Sequence, residues 1–294
     1  MNEETANIFQ IHLAVLLFGI GSLFGKLISL EPTLIIFGRS VFAIIALFLI
    51  IKITKEKLHL DTKKEYLELL TLGIILAIHW VTFVESVQIS SVAIGLITYS
   101  TFPFFVLFFE GIFFKMKMKQ VNIILASLVF LGVVLILPNY EFSSSTTLGA
   151  IYGIISAITF ALLAIMNKKY VQKYSGFKVV FYEAIGVVLI LTPIALSSNI
   201  EIGNTNLILI FLFGVVFTAI SHSLFIFGMK RTSTQKASII GTLELIYGVI
   251  GAIIVLGEFP QIRTIFGSLI IIAATAYATI NAKTEAKQEF KDRV

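Results

Sequence analysis

The chain has 294 residues, of which 57% are hydrophobic and 13% are charged, and its mean hydropathy is +0.98. Soluble domains contain roughly 45–50% apolar and about 25% charged residues, so this composition excludes an ordinary soluble protein. The absence of cysteine excludes disulfides and thiolate metal sites. The formal net charge of +5 would suggest nucleic acid for a soluble protein, but membrane orientation explains the basic residues better.

Apolar stretches of membrane-spanning length follow one another along the whole chain. A hydrocarbon core about 30 Å thick requires roughly 20 apolar residues per helix. Turn signals such as Glu31-Pro32, Pro138-Asn139 and Phe259-Pro260 separate the stretches, and the connections are too short for a further folded domain. The sequence therefore predicts an all-α integral membrane protein with ten transmembrane helices. They cover residues 10–29, 33–52, 66–86, 91–114, 121–138, 148–168, 178–197, 206–229, 235–256 and 262–282.

Lysine and arginine concentrate on one side of the predicted membrane. When the N-terminus is placed in the cytoplasm, 19 of the 22 basic residues fall in cytoplasmic loops or in the C-terminal tail. This is the distribution that the positive-inside rule describes. The other three are Arg263 in an outside loop, and Lys26 and Arg39 within predicted helices. We therefore predict a multi-pass protein of the cytoplasmic (plasma) membrane with both termini in the cytoplasm.

The two halves of the sequence resemble each other at an offset of about 143 residues. Each half contains five predicted helices, and because five is odd, the second half must be inverted in the membrane. Inverted repeats with a binding site near the midplane are a recurrent transporter architecture. We predict one repeat over residues 1–140 and a second over residues 141–294. Corresponding positions are His79 with His222, Lys26 with Lys168 or Lys169, and Arg39 with Tyr182 or Glu183.

Motifs in both halves carry a resemblance to a known family. They are Gly19 to Lys26, Pro32, Arg39 to Ala43, Ser90-Ser91-Val92-Ala93 and Pro103, then Lys236-Ala237-Ser238, Glu244 and Leu256-Gly257-Glu258. Over nearly its whole length the chain resembles the EamA-type branch of the drug/metabolite transporter superfamily. It departs from the family pattern at Leu245, where a proline is usual, and at Lys115-Met116-Lys117, where a Gly-Glu pair would end the fourth helix. The resemblance implies secondary transport of small metabolites, usually export, without an ATP-binding part or a cofactor.

Ionisable side chains within the predicted helices are the candidate substrate and proton sites. A charged side chain at a helix centre costs roughly 2.5–3.5 kcal/mol in a bilayer, and such residues usually face a cavity or a partner. Glu244, at mid-helix, is a candidate for binding and releasing a proton, or else it joins two helices through a hydrogen bond. His79 and His222 could face one central cavity, or each could be a neutral imidazole bonded to a helix carbonyl.

The remaining candidates are Arg39, Glu183, Trp80, Tyr99 and Tyr247. Arg39 could attract a carboxylate or a phosphate, or it could bond helix-end carbonyls. Glu183 lies at a similar depth in the corresponding helix but near the opposite membrane face, so we do not expect these two residues to pair. The only tryptophan and the two tyrosines are either cavity walls or packing residues.

The function predicted from these features is secondary transport by alternating access. The chain would export amino acids or related compounds, with Glu244 and the two histidines contacting the substrate or a proton. An integral-membrane enzyme for lipid-linked substrates would need a polar cluster at one membrane face, and a channel would need a continuous polar pore. The sequence has no phosphate-binding loop, nucleophile motif or metal-binding motif. We therefore expect no enzymatic activity, metal, cofactor or nucleic acid, and a small molecule and the bilayer as partners.

Overall fold

The computed structural model describes residues 3–113, 120–136, 144–198 and 202–291, and within these ranges the chain is almost entirely helical. The predicted turn at Pro138-Asn139 and the basic loop at 115–119 lie outside the described residues. The helices of the first half are α1 (Glu3–Gly21), α2 (Phe24–Leu27), α3 (Pro32–Ile53), α4 (Lys63–Ile89), α5 (Val92–Tyr99), α6 (Phe102–Phe113) and α7 (Gln120–Ile136). Those of the second half are α8 (Ser145–Tyr170), α9 (Gly176–Ser197), α10 (Asn204–Gly214), α11 (Ser221–Gly228), α12 (Thr234–Gly241), α13 (Leu243–Gly251) and α14 (Ile262–Lys291).

Eight helical stretches among the described residues are long and apolar enough to cross a membrane, so the chain is a multi-pass membrane protein. Each of them overlaps one of the ten predicted segments. The other two segments correspond to α7, which has 17 residues, and to α14, whose apolar part is Ile262–Ala274. Helix α14 continues beyond the predicted span 262–282 to Lys291. The residues beyond 282 are rich in Ala, Lys, Glu and Gln, which favour helix even where they are too polar for lipid.

The outer surface of the bundle is covered by large apolar side chains. Ile53, Leu196 and Ile254 are each more than three-quarters exposed, while Ile35 and Leu72 are completely buried. A soluble monomer rarely exposes contiguous apolar surface on this scale. The exposed side chains therefore form the surface that faces the hydrocarbon of the bilayer.

The main helix interfaces join one half of the chain to the other. Helices α3 and α4 pack on α9, α4 also packs on α8, and α1 packs on α11 and α13. Gly73 in α4 and Gly186 in α9 allow two of these helices to approach closely, since a Cβ atom on Gly186 would lie 2.9 Å from the Cα atom of Gly73. Small residues have this role at many membrane helix interfaces. The two halves consequently share one core.

Several of the spans are interrupted near the middle of the bundle. Between α5 and α6, Pro103 lacks an N–H group, and its ring would clash with the carbonyl of Tyr99 in a continuous helix. Between α12 and α13, the hydroxyl of Thr242 donates to the carbonyl of Ile239 at 2.7 Å, a local bond that competes with regular helix geometry. The π-helical stretch Val215–Ile220 interrupts the span Asn204–Gly228, and a second one, Ala252–Leu256, ends the span Thr234–Leu256.

Two half-buried lysines bond to the carbonyl groups that end neighbouring helices. The Nζ atom of Lys26 donates to the carbonyls of Gln88 and Ser90, both at 3.1 Å, at the end of α4. The Nζ atom of Lys168 donates to the carbonyl of Thr232 at 2.8 Å, just beyond α11. A cation is favourable at the negative end of a helix dipole. These two contacts lie at opposite ends of the bundle and at corresponding positions of the two halves.

The close approach of α4 and α9 makes Gly186 a sensitive position. We predict that Gly186→Ala lowers the apparent melting temperature of the purified protein, because overpacking a close helix contact typically costs about 1–3 kcal/mol. Gly251→Ala is the matched control, since its added Cβ would mainly meet the tip of the Leu23 side chain. Equal melting temperatures for the two variants in the same detergent would contradict the described contact.

Candidate functional site

A cavity of about 50 Å³ lies in the centre of the bundle and is lined by side chains from both halves. This volume accommodates a few water molecules, whereas sites for metabolites usually enclose about 300–1,000 Å³. The cavity is therefore smaller than most metabolite-binding sites. Six of the eight predicted site residues line it, namely Arg39, His79, Trp80, Tyr99, His222 and Glu244. The other lining residues are Phe18, Gly21, Ser22, Phe83, Phe160, Phe213 and Phe217.

The interruptions of the helices position many of these residues. Tyr99 is the last residue of α5, Glu244 is the second of α13, and Ser22 lies between α1 and α2. Phe217 belongs to the π-helical stretch Val215–Ile220. Glu244 lies near the middle of the span Thr234–Leu256, as predicted, and the break at Thr242 is a feature that the sequence analysis did not predict. Discontinuous helices build the binding sites of many transporters, since they bring backbone groups and side chains to the midplane.

Arg39 is 5% exposed and lies between two aromatic rings. Its Cζ atom is 4.0 Å from the ring centroid of Trp80 and 4.0 Å from that of Phe213. Cation–π contacts of this kind contribute about 2 kcal/mol or more where water is excluded. Among the described residues no carboxylate pairs with Arg39, and its Nε atom is buried without a hydrogen bond. Glu183 does not contact it, as the sequence analysis predicted.

His222 and Glu183 form a buried pair beside the cavity. The Nε2 atom of His222 lies 3.2 Å from Oε2 of Glu183, and their side chains are 2% and 0% exposed. The contact is an ion pair when the imidazole is protonated and a hydrogen bond when it is neutral. The rings of His222 and Trp80 also form an edge-to-face contact, with centroids 5.7 Å apart. Glu183 thus lies behind the cavity wall and holds the side chain of His222 in place.

His79 has a different set of partners, although it corresponds to His222 in the repeat. Its Nδ1 atom lies 3.0 Å from the carbonyl oxygen of Ser156 and 2.8 Å from the hydroxyl of that residue. Its ring packs on Phe160 and Tyr99 at centroid distances of 4.9 and 5.5 Å. His79 therefore combines both roles that the sequence left open, because it bonds a helix carbonyl and also lines the cavity.

Glu244 is 6% exposed and lines the cavity from α13. Within the described residues, its carboxyl group has no hydrogen bond or ion pair. Tyr247, one helical turn further on, is half-buried and packs on Gly19 of α1. It is not among the residues that line the central cavity, so the structure does not bring it together with the other candidates.

A wide vestibule opens at one end of the bundle, which we call the vestibule end. It has a volume of about 660 Å³ and is lined by the connection between α2 and α3 together with Lys26, Glu85 and Gln88. The ring of Phe24, next to Gly25 in the vestibule wall, is 4.9 Å from those of Phe213 and Phe217, which line the central cavity.

A network of polar contacts closes the other end, and we call the set Asp61, Glu65, Glu68, Lys169 and Lys173 the latch. Lys173 pairs with Asp61 at 2.7 Å and with Glu65 at 2.6 Å, and Lys169 pairs with Glu68 at 3.2 Å. Hydrogen bonds to Asp61 and Glu65 raise the pKa of Lys173 above its ordinary value. The latch joins the α3–α4 region of the first half to the α8–α9 connection of the second.

Comparison with known proteins identifies the family. The sequence profile of the EamA-like transporter family matches residues 5–137 and again residues 147–280. The chain belongs to the EamA-like transporter family. The two matches together cover nearly the whole chain, and they confirm the resemblance to EamA-type members of the drug/metabolite transporter superfamily.

Several relatives of this EamA-like chain are also described as transporters. It is 22% identical over 289 residues to the uncharacterized transporter YxxF of Bacillus subtilis (strain 168), covering 97% of this chain and 93% of the relative. It is 28% identical over 229 residues to an S-adenosylmethionine uptake transporter of Rickettsia conorii, covering 76% and 75% of the two chains. A similar match to the protein of that name in Rickettsia prowazekii, at 33% identity, spans about half of each protein, or 52% and 51%.

A solved crystal structure supports the fold of the EamA-like chain. The two structures superpose with a TM-score of 0.68, covering 95% of this chain and 98% of the other at 11% identity. Identity this low supports the fold alone. The arrangement of helices described above is therefore one that an experimentally determined protein also adopts.

The sequence analysis of this EamA-like chain missed the aromatic part of the site. Phe213 and Phe217 line the cavity and Phe24 packs on them, but with 27 phenylalanines in the chain no pattern distinguishes them from lipid-facing ones. The π-helical stretch that contains Phe217 has no proline or other local signal. Ser22 follows Gly19 and Gly21, so its position near two glycines was the available indication of a helix break.

The contribution of the buried Glu183–His222 pair to the stability of the protein can be tested by mutation. We predict that Glu183→Ala destabilises the EamA-like protein by about 3–5 kcal/mol, because removing one partner leaves the other buried without compensation. Glu183→Gln, which keeps a hydrogen-bond acceptor, should lose less. The control is Glu85→Ala at the half-buried wall of the vestibule, where we expect about 0.5 kcal/mol or less. Denaturant unfolding in detergent measures all three, and equal losses for Glu183→Ala and Glu85→Ala would contradict the pair.

Proposed function

We propose that the chain is a secondary transporter that carries amino acids or related small metabolites through the central cavity by alternating access. The observation that carries this proposal is the cavity itself, which both halves line and into which they bring ionisable side chains. A vestibule lies beyond one end and the latch closes the other. Alternating access requires a central site of this kind with a separate closure on each side.

The proposal includes ten transmembrane helices arranged as two inverted repeats. Three features support it: the twofold match to the family profile, the lysine–carbonyl contacts of Lys26 and Lys168, and the helix breaks at corresponding places in the two halves. The distribution of basic residues supports cytoplasmic termini. With that orientation the vestibule faces outward and the latch lies at the cytoplasmic side, so the structure represents a state closed to the cytoplasm.

Glu244 is the proposed proton-binding residue. It is a carboxyl group at the cavity wall, and among the described residues it has no hydrogen-bonding or ionic partner. A carboxyl group without a fixed partner can exchange a proton with whatever enters the cavity. Intramembrane carboxyl groups form proton relays in other pumps and transporters. This arrangement would link the movement of a substrate to a pH gradient.

The substrate and the direction of transport belong to the same proposal. The family resemblance implies export, whereas the Rickettsia relatives are named for uptake of S-adenosylmethionine. That compound is an amino acid derivative, so it belongs in the substrate panel with the free amino acids. A carrier without an ATP-binding part moves its substrate in the direction that the gradients impose. Uptake and export should therefore both be measured in the same liposome preparation.

We predict that the protein, reconstituted in liposomes, exchanges amino acids or S-adenosylmethionine in a counterflow assay and accumulates them when a pH gradient is imposed. Glu244→Gln should abolish the gradient-driven accumulation, because the amide cannot carry a proton. Glu85→Gln, which removes a carboxyl group from the vestibule wall, should leave it intact. The readout is the uptake of labelled substrate with the gradient applied in each direction.

The outcomes of this assay separate the possibilities. Counterflow that persists in Glu244→Gln without gradient dependence assigns proton coupling to this residue. Equal gradient dependence in wild type and Glu244→Gln would contradict the assignment while leaving the carrier intact. Labelled substrate that equilibrates without exchange would indicate a channel, and the absence of any flux would contradict the transport proposal itself.

A further inference from the structure

We propose that Arg39 is an anion-binding subsite of the central cavity, and that it recognises the carboxylate of the transported metabolite. Transport of the bound metabolite rests on the proposed function, whereas the binding of its carboxylate by Arg39 does not. It assigns to Arg39 the role of a specificity-determining residue. Its basis is a buried guanidinium group that has no anionic partner among the described residues.

The first argument is the uncompensated charge. A buried charge is costly unless an opposite charge and hydrogen bonds accompany it. Arg39 is 5% exposed, and Nε has no hydrogen bond. The two buried carboxyl groups close to the cavity do not supply the opposite charge. Glu183 bonds to His222, and Glu244 forms no ion pair with Arg39 among the described residues. The missing anion is therefore one that enters the cavity.

The position of Arg39 between Trp80 and Phe213, an arrangement that we call the clamp, also favours an anion. The guanidinium carbon of Arg39 lies over the rings of Trp80 and Phe213, 4.0 Å from each ring centroid. These rings supply no oxygen acceptor, so the N–H groups of the guanidinium remain available to an anion. They form a fork that matches the two oxygens of a carboxylate. The ring contacts restrict the movement of the guanidinium before a ligand arrives, which reduces the entropy lost on binding.

The third argument, from charge, favours a carboxylate over a phosphate. Arg39 is the only lysine or arginine among the residues that line the cavity as the structure describes it. One guanidinium matches a single negative charge, whereas a phosphate monoester carries close to two. Glu244 lines the same small cavity and, when ionised, would repel a dianion but would be compatible with an amino group on the same ligand. The chemistry therefore fits a small carboxylic acid that carries an amino group.

The single tryptophan of the chain provides a direct probe, because Trp80 packs against Arg39 and no other tryptophan contributes to the signal. We would titrate the purified full-length protein in nanodiscs with L-leucine and L-methionine, their carboxamides, and inorganic phosphate, following Trp80 fluorescence. Equilibrium binding of the labelled amino acids provides a second readout. The variants are Arg39→Gln and Arg39→Lys, and the control is Lys178→Gln, which removes a buried lysine outside the cavity.

We expect at least one amino acid to bind wild type and Lys178→Gln, and its carboxamide to bind about 10–100-fold more weakly, as charge-assisted hydrogen bonds predict. Arg39→Gln should remove this discrimination, with both forms binding weakly, and Arg39→Lys should restore it in part. A folded Arg39→Gln protein that still prefers the carboxylate would overturn the proposal. So would failure of both amino acids to bind wild type, or tighter binding of phosphate than of either.

The failure of this inference is distinguishable from failure of the transport proposal. Carboxylate binding that depends on Arg39, without any counterflow, would retain the subsite and reject the carrier. Counterflow that is equally fast for amino acids and their carboxamides would retain the carrier and reject the subsite.

Discussion

The structure is organised by one constraint, which is that ionisable side chains cannot remain in hydrocarbon without a partner or a cavity. Arg39, Glu183, His222 and Glu244 all lie in membrane-spanning helices, and all four are turned away from the lipid-facing surface. Two of them, Glu183 and His222, form a pair, although the second carboxylate oxygen of Glu183 has no hydrogen bond among the described residues. Arg39, His222 and Glu244 line the central cavity. The position of the cavity thus follows from where these groups can be accommodated.

The same constraint explains why the helices are interrupted where they are. A continuous helix satisfies its own backbone, so it offers the cavity only side chains. The breaks before Phe102 and at Thr242, together with the π-helical stretch around Phe217, occur beside the cavity, where neighbouring helices shield the irregular backbone from lipid. The helices that contribute these breaks come from both halves. A relative movement of the halves would therefore change the shape of the site and, at the same time, the closure of the latch.

Apolar length was sufficient to predict the eight spans that the structure shows, and depth within a span selected six of the thirteen residues that line the cavity. The predicted correspondence of His79 and His222 suggested that both could face one cavity, but it did not indicate that their partners would differ. The Glu183–His222 pair and the Trp80–Arg39–Phe213 clamp depend on helix rotation and packing between distant segments, which a single sequence does not specify. Tyr247 is one helical turn from Glu244 in α13, yet it packs on Gly19 of α1 and does not line the cavity.

The central claim, that the cavity is exposed alternately to the two sides, is tested most directly by thiol accessibility. The chain has no native cysteine, so Ser22→Cys places a single thiol in the cavity wall. Its labelling by a membrane-impermeant maleimide would be measured from each side of the proteoliposome, with and without Lys173→Ala, which cuts the latch. If the cavity is exposed alternately, Lys173→Ala increases labelling of the thiol from the latch side and decreases it from the vestibule side. An increase from both sides, or no change from either, would contradict alternating access.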